Sequence, residues 1–244
     1  MFSNPLHWPV NVHLEYADLE DTEYLSMLEV KRRTFSRAAD ALMRFQRPPA
    51  RLLEVGSYAG LFLEECRDRG YEVIGVEPSE WGSAQSRSIG LDVRTGHAEE
   101  VLDDESLGDF DVVVSWDVLE HVVAPSLFMS RLAQRLSKNG YVIVSTLDRS
   151  NWFARVTGKR WPWLIPMHLH YFDQDTVIRL AQEAGLSFVS TFPHVHYTSA
   201  SYALRRLIGH GDQLDSTGVP SVLDRAVFPV GFGDVRTFVF RRLR

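Results

Sequence analysis

Through residues 51–146, short apolar runs alternate with longer stretches whose apolar residues recur at helical spacing. The pattern predicts strands at 51–55, 71–76, 91–95, 110–116 and 140–146, with helices at 61–69, 80–89 and 126–137. Strands and helices alternating in this way form a parallel sheet covered on both faces. Upstream, Tyr24, Leu25, Leu28, Phe35, Ala38, Ala39, Leu42 and Phe45 keep a helical period. A helix is therefore expected from Thr22 to Phe45, capped by Asp21 or Thr22 and stopped by Pro48-Pro49. Downstream come a helix through Ala184, a strand from Leu186 to Thr191 and a last strand from Val235 to Phe240. The insert before that last strand holds His194, His196, Tyr197 and Tyr202, with a helix expected through Leu207. The expected organisation is an arm and cap helix over 1–49, a core over 50–192, and an insertion with last strand over 193–244 that completes the same domain.

Composition narrows the function classes. With 45% hydrophobic and 24% charged residues, the chain reads as a soluble globular protein. A net charge of −6 argues against a sequence-independent grip on nucleic acid, which needs clustered cations. The single cysteine, Cys66, excludes an internal disulfide framework and reads as a small buried hydrophobe. No apolar run is long enough to span a bilayer, and the N-terminus lacks a signal-peptide pattern. A cytoplasmic location is the expectation.

Chemistry enters at the end of the first strand, Glu54-Val55-Gly56-Ser57-Tyr58-Ala59-Gly60. Gly56 and Gly60 let the backbone turn sharply and approach a ligand. The loop lacks the middle glycine of the G-x-G-x-x-G dinucleotide fingerprint. Glu54 would repel a pyrophosphate but suits a ligand with a cationic amino group, such as the methionine end of S-adenosylmethionine (SAM). The second strand also ends in a carboxylate, Glu77, roughly 20 residues on, where an acidic side chain reaches ribose hydroxyls. A third apolar strand runs from Phe110 into Asp117-Val118-Leu119-Glu120-His121-Val122.

These three ordered motifs, over residues 50–192, resemble the class I SAM-dependent methyltransferases, in particular a small-molecule group with a D-V-L-E-H-V segment after strand four. The resemblance implies a Rossmann-like, doubly wound, seven-stranded sheet. That sheet is mostly parallel with its last strand antiparallel, and carries an N-terminal helix and an insertion before the last strand. It implies SAM as cofactor. Glu54, Gly56, Ser57, Tyr58 and Gly60 would form the first loop, and Glu77 would meet the ribose. Pro78 (or Ser79), Ala98 and Glu99 would flank the adenine. Trp116, Asp117 and His121 would line the methionine and sulfonium end. Ser57 and Ala59 stand where many members carry glycines, which leaves the loop's conformation open.

The acceptor side is expected after strand five. Trp152, Phe153, Trp161, Trp163, Tyr171 and Phe172 fall there, with Lys159 and Arg160 between them. They fit an acceptor wall or lid, rings packing a long connection, or a face touching a lipid interface. His168 and His170 are the candidate general bases for an acceptor hydroxyl; either could instead brace the loop. No metal is expected, because two histidines give too few ligands. The reading is thus a methyltransferase acting on a small molecule, with a hydroxyl oxygen favoured. N- or C-methylation, an NAD-type oxidoreductase and a non-catalytic SAM-binding protein stay as alternatives. The insert could close the acceptor pocket or build a homodimer contact.

Overall fold

The computed structural model describes residues 27–201 and 226–242. Helix α1 (Leu28–Leu42) is followed by β1 (Arg51–Val55), α2 (Leu61–Asp68), β2 (Glu72–Glu77), α3 (Glu80–Ser88), β3 (Asp92–Thr95) and the short α4 (Ala98–Val101). Then come β4 (Phe110–Trp116), α5 (Pro125–Gln134), β5 (Leu136–Leu147), α6 (Trp152–Thr157) and α7 (Gln174–Glu183). The chain closes with β6 (Leu186–Pro193), β7 (His196–Ser199), β8 (Val227–Val230) and β9 (Val235–Arg242).

Seven strands form one sheet in the order β3-β2-β1-β4-β5-β9-β6. The pairs β3–β2, β2–β1, β1–β4 and β4–β5 are parallel, and β9 runs antiparallel between β5 and β6. This is the expected doubly wound sheet with an antiparallel last strand. Successive strand residues point to opposite faces. Leu53, Val55 and Val113 accordingly join a core with Phe128, Leu132 and Phe238. Leu52, Val112 and Val114 join the other core with Phe62, Leu42 and Ala39. Each large apolar side chain fully buried there contributes about 1.5–3 kcal/mol.

Two boundaries differ from expectation, and a small sheet is added. The helix expected at 126–137 ends at Gln134, and Leu136 already pairs with Phe110. A register shift between Phe110 and Val112 and a left-handed Asn139 (φ 70°) absorb the extra residues, so β5 is long and bulged. The cap helix is described from Leu28 onward; Asp21, Thr22, Tyr24 and Leu25 lie outside the described residues, as do Tyr202 and Leu207. Within the insert, β7 and β8 pair antiparallel as a separate two-stranded sheet that periodicity did not reveal. Its strands are four residues each, too short for an alternation to stand out. Among the described residues no helix is long and apolar enough to cross a membrane.

Candidate active site

The candidate cofactor cradle is built where β1 and β2 end side by side. Gly56 and Ser57 both donate their N–H to the Val76 carbonyl (2.8 and 3.2 Å), so the loop folds back over β2. Gly56 (φ +82°) passes so close to Val118 that a Cβ would lie 2.5 Å from its Cγ2. Tyr58 is left-handed too (φ 44°), and its N–H donates to Glu77 Oε2 at 2.7 Å. Ser79 N–H donates to Glu77 Oε1 at 2.8 Å, and the Ser79 hydroxyl caps α3. Glu77 is thereby fixed with one oxygen on the glycine loop and the other on the turn into α3. Burial pushes its pKa up, and the two N–H bonds partly offset that.

Glu54 and Ser57 complete this corner. Both are buried, and Glu54 Oε2 and Ser57 Oγ have no hydrogen-bond partner. Burial first, and the Glu77 charge second, hold the Glu54 carboxyl well above its ordinary range. A buried acceptor without a donor is costly and calls for one. An ammonium group of a bound amino acid is such a donor, so the residues present fit the methionine end of SAM. Pro78 is half-buried beside Ser79, and Ala98 and Glu99 open α4 directly after β3, both half-buried. Tyr58 stacks at a tilt on Trp81 (5.5 Å), closing the outer side of the loop.

At the end of β4 the chain leaves the sheet through Asp117, a non-glycine residue at φ 54°. Ser145 on β5 holds it there: Asp117 N–H donates to Ser145 Oγ (2.9 Å), and that hydroxyl donates to Asp117 Oδ1 (2.5 Å). Burial raises the Asp117 pKa, but His196, His194 and the Ser145 hydroxyl outweigh it and keep the carboxylate below its usual range. Trp116 turns the other way. It packs edge-on against Phe62 (5.1 Å) and tilted on His194 (5.3 Å). It lines a cavity of about 510 Å³ between α1 and the β5–β9–β6 edge.

Two polar clusters stand on either side of Trp163, whose ring centroid is 6.4 Å from those of both His168 and His196. The first joins Glu120, His121 and His168, with one potential ligand atom of each within 4.8 Å of the others. His121 and His168 meet edge to face (4.8 Å), and their Nδ1 atoms contact the Met167 and Trp163 carbonyls at 3.0 and 2.7 Å. Burial, then His121, lowers the His168 pKa to about 4. Burial, then Asp117, lifts Glu120 to about 8, and Thr146 donates to its Oε2 at 2.8 Å. His170 lies apart from this cluster. Its imidazole engages the backbone of Val122 and Val123 and stacks on Phe172, while its N–H donates to the Glu120 carbonyl. Alternation along 168–170 suggested a common direction for the two histidines, but the segment is irregular and each ring finds a different backbone partner.

The second cluster joins Asp117, His194 and His196. Neither of these histidines stood out as a site residue, although His194-Val195-His196 repeats the His-x-His alternation of His168-Leu169-His170. Trp161 is buried with Leu147, Ala154 and Val235, and Trp163 packs partly buried against that group. Trp152 (60% exposed) and Val156 (78%) face outward on α6. The aromatic segment is therefore divided between wall and surface.

A methyltransferase domain family matches residues 30–191. A ubiquinone biosynthesis O-methyltransferase from Bradyrhizobium diazoefficiens is 38% identical over 108 residues, covering 42% of this chain and 41% of the relative. The chain thus spans about two-fifths of that curated relative's length. The fold is shared with a SAM-dependent methyltransferase of Thermotoga maritima, described as a possible histamine N-methyltransferase (TM-score 0.58, 21% identity, 91% of this chain and 93% of that one). It is also shared with magnesium protoporphyrin IX methyltransferase of Synechocystis with bound S-adenosylhomocysteine (TM-score 0.58, 15% identity, 88% and 86%). The glycine loop, the paired acids Glu54 and Glu77, and the family match over most of the sheet lead to one assignment: the chain belongs to the class I SAM-dependent methyltransferases.

Proposed function

We propose that this enzyme methylates a hydroxyl oxygen of a small organic acceptor, with His168 as general base. The observation that carries this reading is the His168 ring itself. Its Nδ1 lies 2.7 Å from the Trp163 carbonyl, which can only accept, so Nδ1 carries the proton and Nε2 the lone pair. The O-methyltransferase relatives point to the same acceptor atom.

The cofactor brings a methyl group already activated on a sulfonium. Glu54 and Ser57 hold its amino acid end, Glu77 its ribose, Pro78, Ala98 and Glu99 its adenine side. Asp117 and His121 border its reactive end, with Trp116 behind them. Gly56, Tyr58 and Gly60 shape the loop. Aligning the acceptor oxygen with the methyl accounts for several kcal/mol of the barrier, up to about 7–11. His168 Nε2 takes the hydroxyl proton as attack proceeds. Glu120 stands within 4.8 Å of the ring, its carboxyl pushed up to about 8 by burial and then the Asp117 charge. His170 braces the Val122–Val123 turn and acts through position.

The test is transfer from SAM to a panel of phenols, catechols and amines. O-methyl products are expected. His168→Ala should lower kcat about 10²–10⁴-fold with S-adenosylhomocysteine binding retained. Exclusive N-methylation, or an unchanged rate in that variant, would overturn the reading.

A further inference from the structure

We propose that Asp117, His194 and His196 form a binding site for one divalent transition-metal ion, beside the methyl-transfer site. One ligand atom of each lies within 4.8 Å of the other two, from chain segments far apart in sequence. Two imidazoles and one carboxylate, with further positions open, are a donor set for Zn²⁺, Mn²⁺, Co²⁺ or Fe²⁺ rather than for Mg²⁺, which takes oxygen ligands.

The surroundings hold these groups as ligands are held. Ser145 donates to Asp117 Oδ1, leaving Oδ2 toward His196 Nε2 at 3.7 Å, too far for a hydrogen bond. The Thr237 hydroxyl engages His194 Nδ1 at 3.0 Å and leaves Nε2 as that ring's remaining nitrogen. Such outer contacts orient metal-binding side chains. The backbone is pinned as well: His194 N–H donates to the Val235 carbonyl, and Tyr197 N–H donates to Thr34 Oγ1. His196 Nε2 is buried without a hydrogen-bond partner, and Asp117 keeps a left-handed backbone. The unpartnered nitrogen is a cost that an ion between these groups would offset. The neighbouring Glu120–His121–His168 cluster is a poorer ligand set, because its carboxyl already accepts from Thr146 and holds its proton near neutral pH.

This inference rests on the methyltransferase reading only for its consequence. An ion here would take an acceptor oxygen into an open position and lower the pKa of that hydroxyl. The proton so released passes to His168, and the oxygen then forms its bond to carbon as the sulfur–carbon bond breaks.

The full chain, stripped with chelator, would be titrated with Co²⁺, Zn²⁺ and Mg²⁺ in the absence of SAM and acceptor. One equivalent of Co²⁺ with visible d–d absorption, competed by Zn²⁺ and not by Mg²⁺, is expected. His194→Ala and His196→Ala should each weaken binding at least tenfold, and His168→Ala should not. Binding of S-adenosylhomocysteine, measured separately, reports folding and the cofactor site. Should either variant lose that binding, Cu²⁺ paramagnetic resonance of the wild type replaces it, and coupling to two nitrogens is expected. Absent stoichiometric binding, binding insensitive to both histidine substitutions, or a spectrum without nitrogen coupling would each overturn the site. A metal result of that kind alongside intact S-adenosylhomocysteine binding would leave the methyltransferase reading standing.

Discussion

The buried carboxylate of Asp234 accepts a hydrogen bond from the indole Nε1 of Trp161 at 2.8 Å, and the same oxygen also accepts from Trp163 at 3.1 Å. The residue just before β9 thus fixes the aromatic segment that separates the two histidine clusters. Asp234→Ala would leave both indoles without that acceptor in a largely dry pocket, at a cost of about 1–3 kcal/mol. A lower melting temperature is expected, together with a raised KM for the acceptor and unchanged S-adenosylhomocysteine affinity. Loss of cofactor affinity instead would mean that Trp163 belongs to the other side of the site.

Glu77 ties the two halves of the cradle together through Tyr58 N–H and Ser79 N–H. Glu77→Ala should weaken S-adenosylhomocysteine binding by more than tenfold in calorimetry, since each lost charge-assisted bond is worth about 1.5–3 kcal/mol. Micromolar binding in that variant would remove Glu77 from the ribose site.

Gly56 tolerates no side chain. A Cβ there would lie 2.5 Å from Val118 Cγ2 at a backbone φ of +82°. Gly56→Ala is expected to cost about 1–3 kcal/mol by crowding and strain. It should also push Val118 and the adjoining Asp117 away from the loop. Chemical denaturation and cofactor titration read the two effects separately.

Glu120 makes its own contribution to the pH dependence of stability. Its folded pKa, about 8, lies above the ordinary carboxyl value because of burial and then the Asp117 charge. The native state therefore binds a proton that the unfolded chain has already lost. The stability this group contributes is complete below its unfolded pKa and falls away as pH rises toward about 8. The buried histidines work in the opposite sense at the acid end, so the Glu120 contribution is read as a difference: wild type should lose melting temperature relative to Glu120→Gln as pH rises from 5 to 9. A wild-type-minus-variant difference that stays constant across this range would contradict the assignment.

The meeting of the candidate cofactor residues could be read along the chain. Glu54, Gly56, Gly60 and Glu77 sit within one strand–helix–strand unit, where sequence spacing translates directly into distance. β1 and β2 pair in parallel from Arg51–Glu72 to Val55–Val76, so two acids at two strand ends must meet. The alternation of strands and helices set the doubly wound sheet for the same reason, because periodicity is a local property of the backbone.

The histidine clusters were not legible in this way. β6 lies at the sheet edge with β9 and β5 between it and β4, but it runs the same way as β4 and so ends at the same edge of the sheet. His194 and His196 reach Asp117 where the chain turns from the end of β6 into β7, and no local pattern encodes that path. His168 and His170 look equivalent in sequence, yet one contacts the Trp163 carbonyl and the other the Val122–Val123 turn. Their roles separate only when long-range packing chooses each ring's partner. Strand and loop chemistry is written in nearest neighbours. The pairing of distant side chains depends on which surfaces the folded sheet brings face to face.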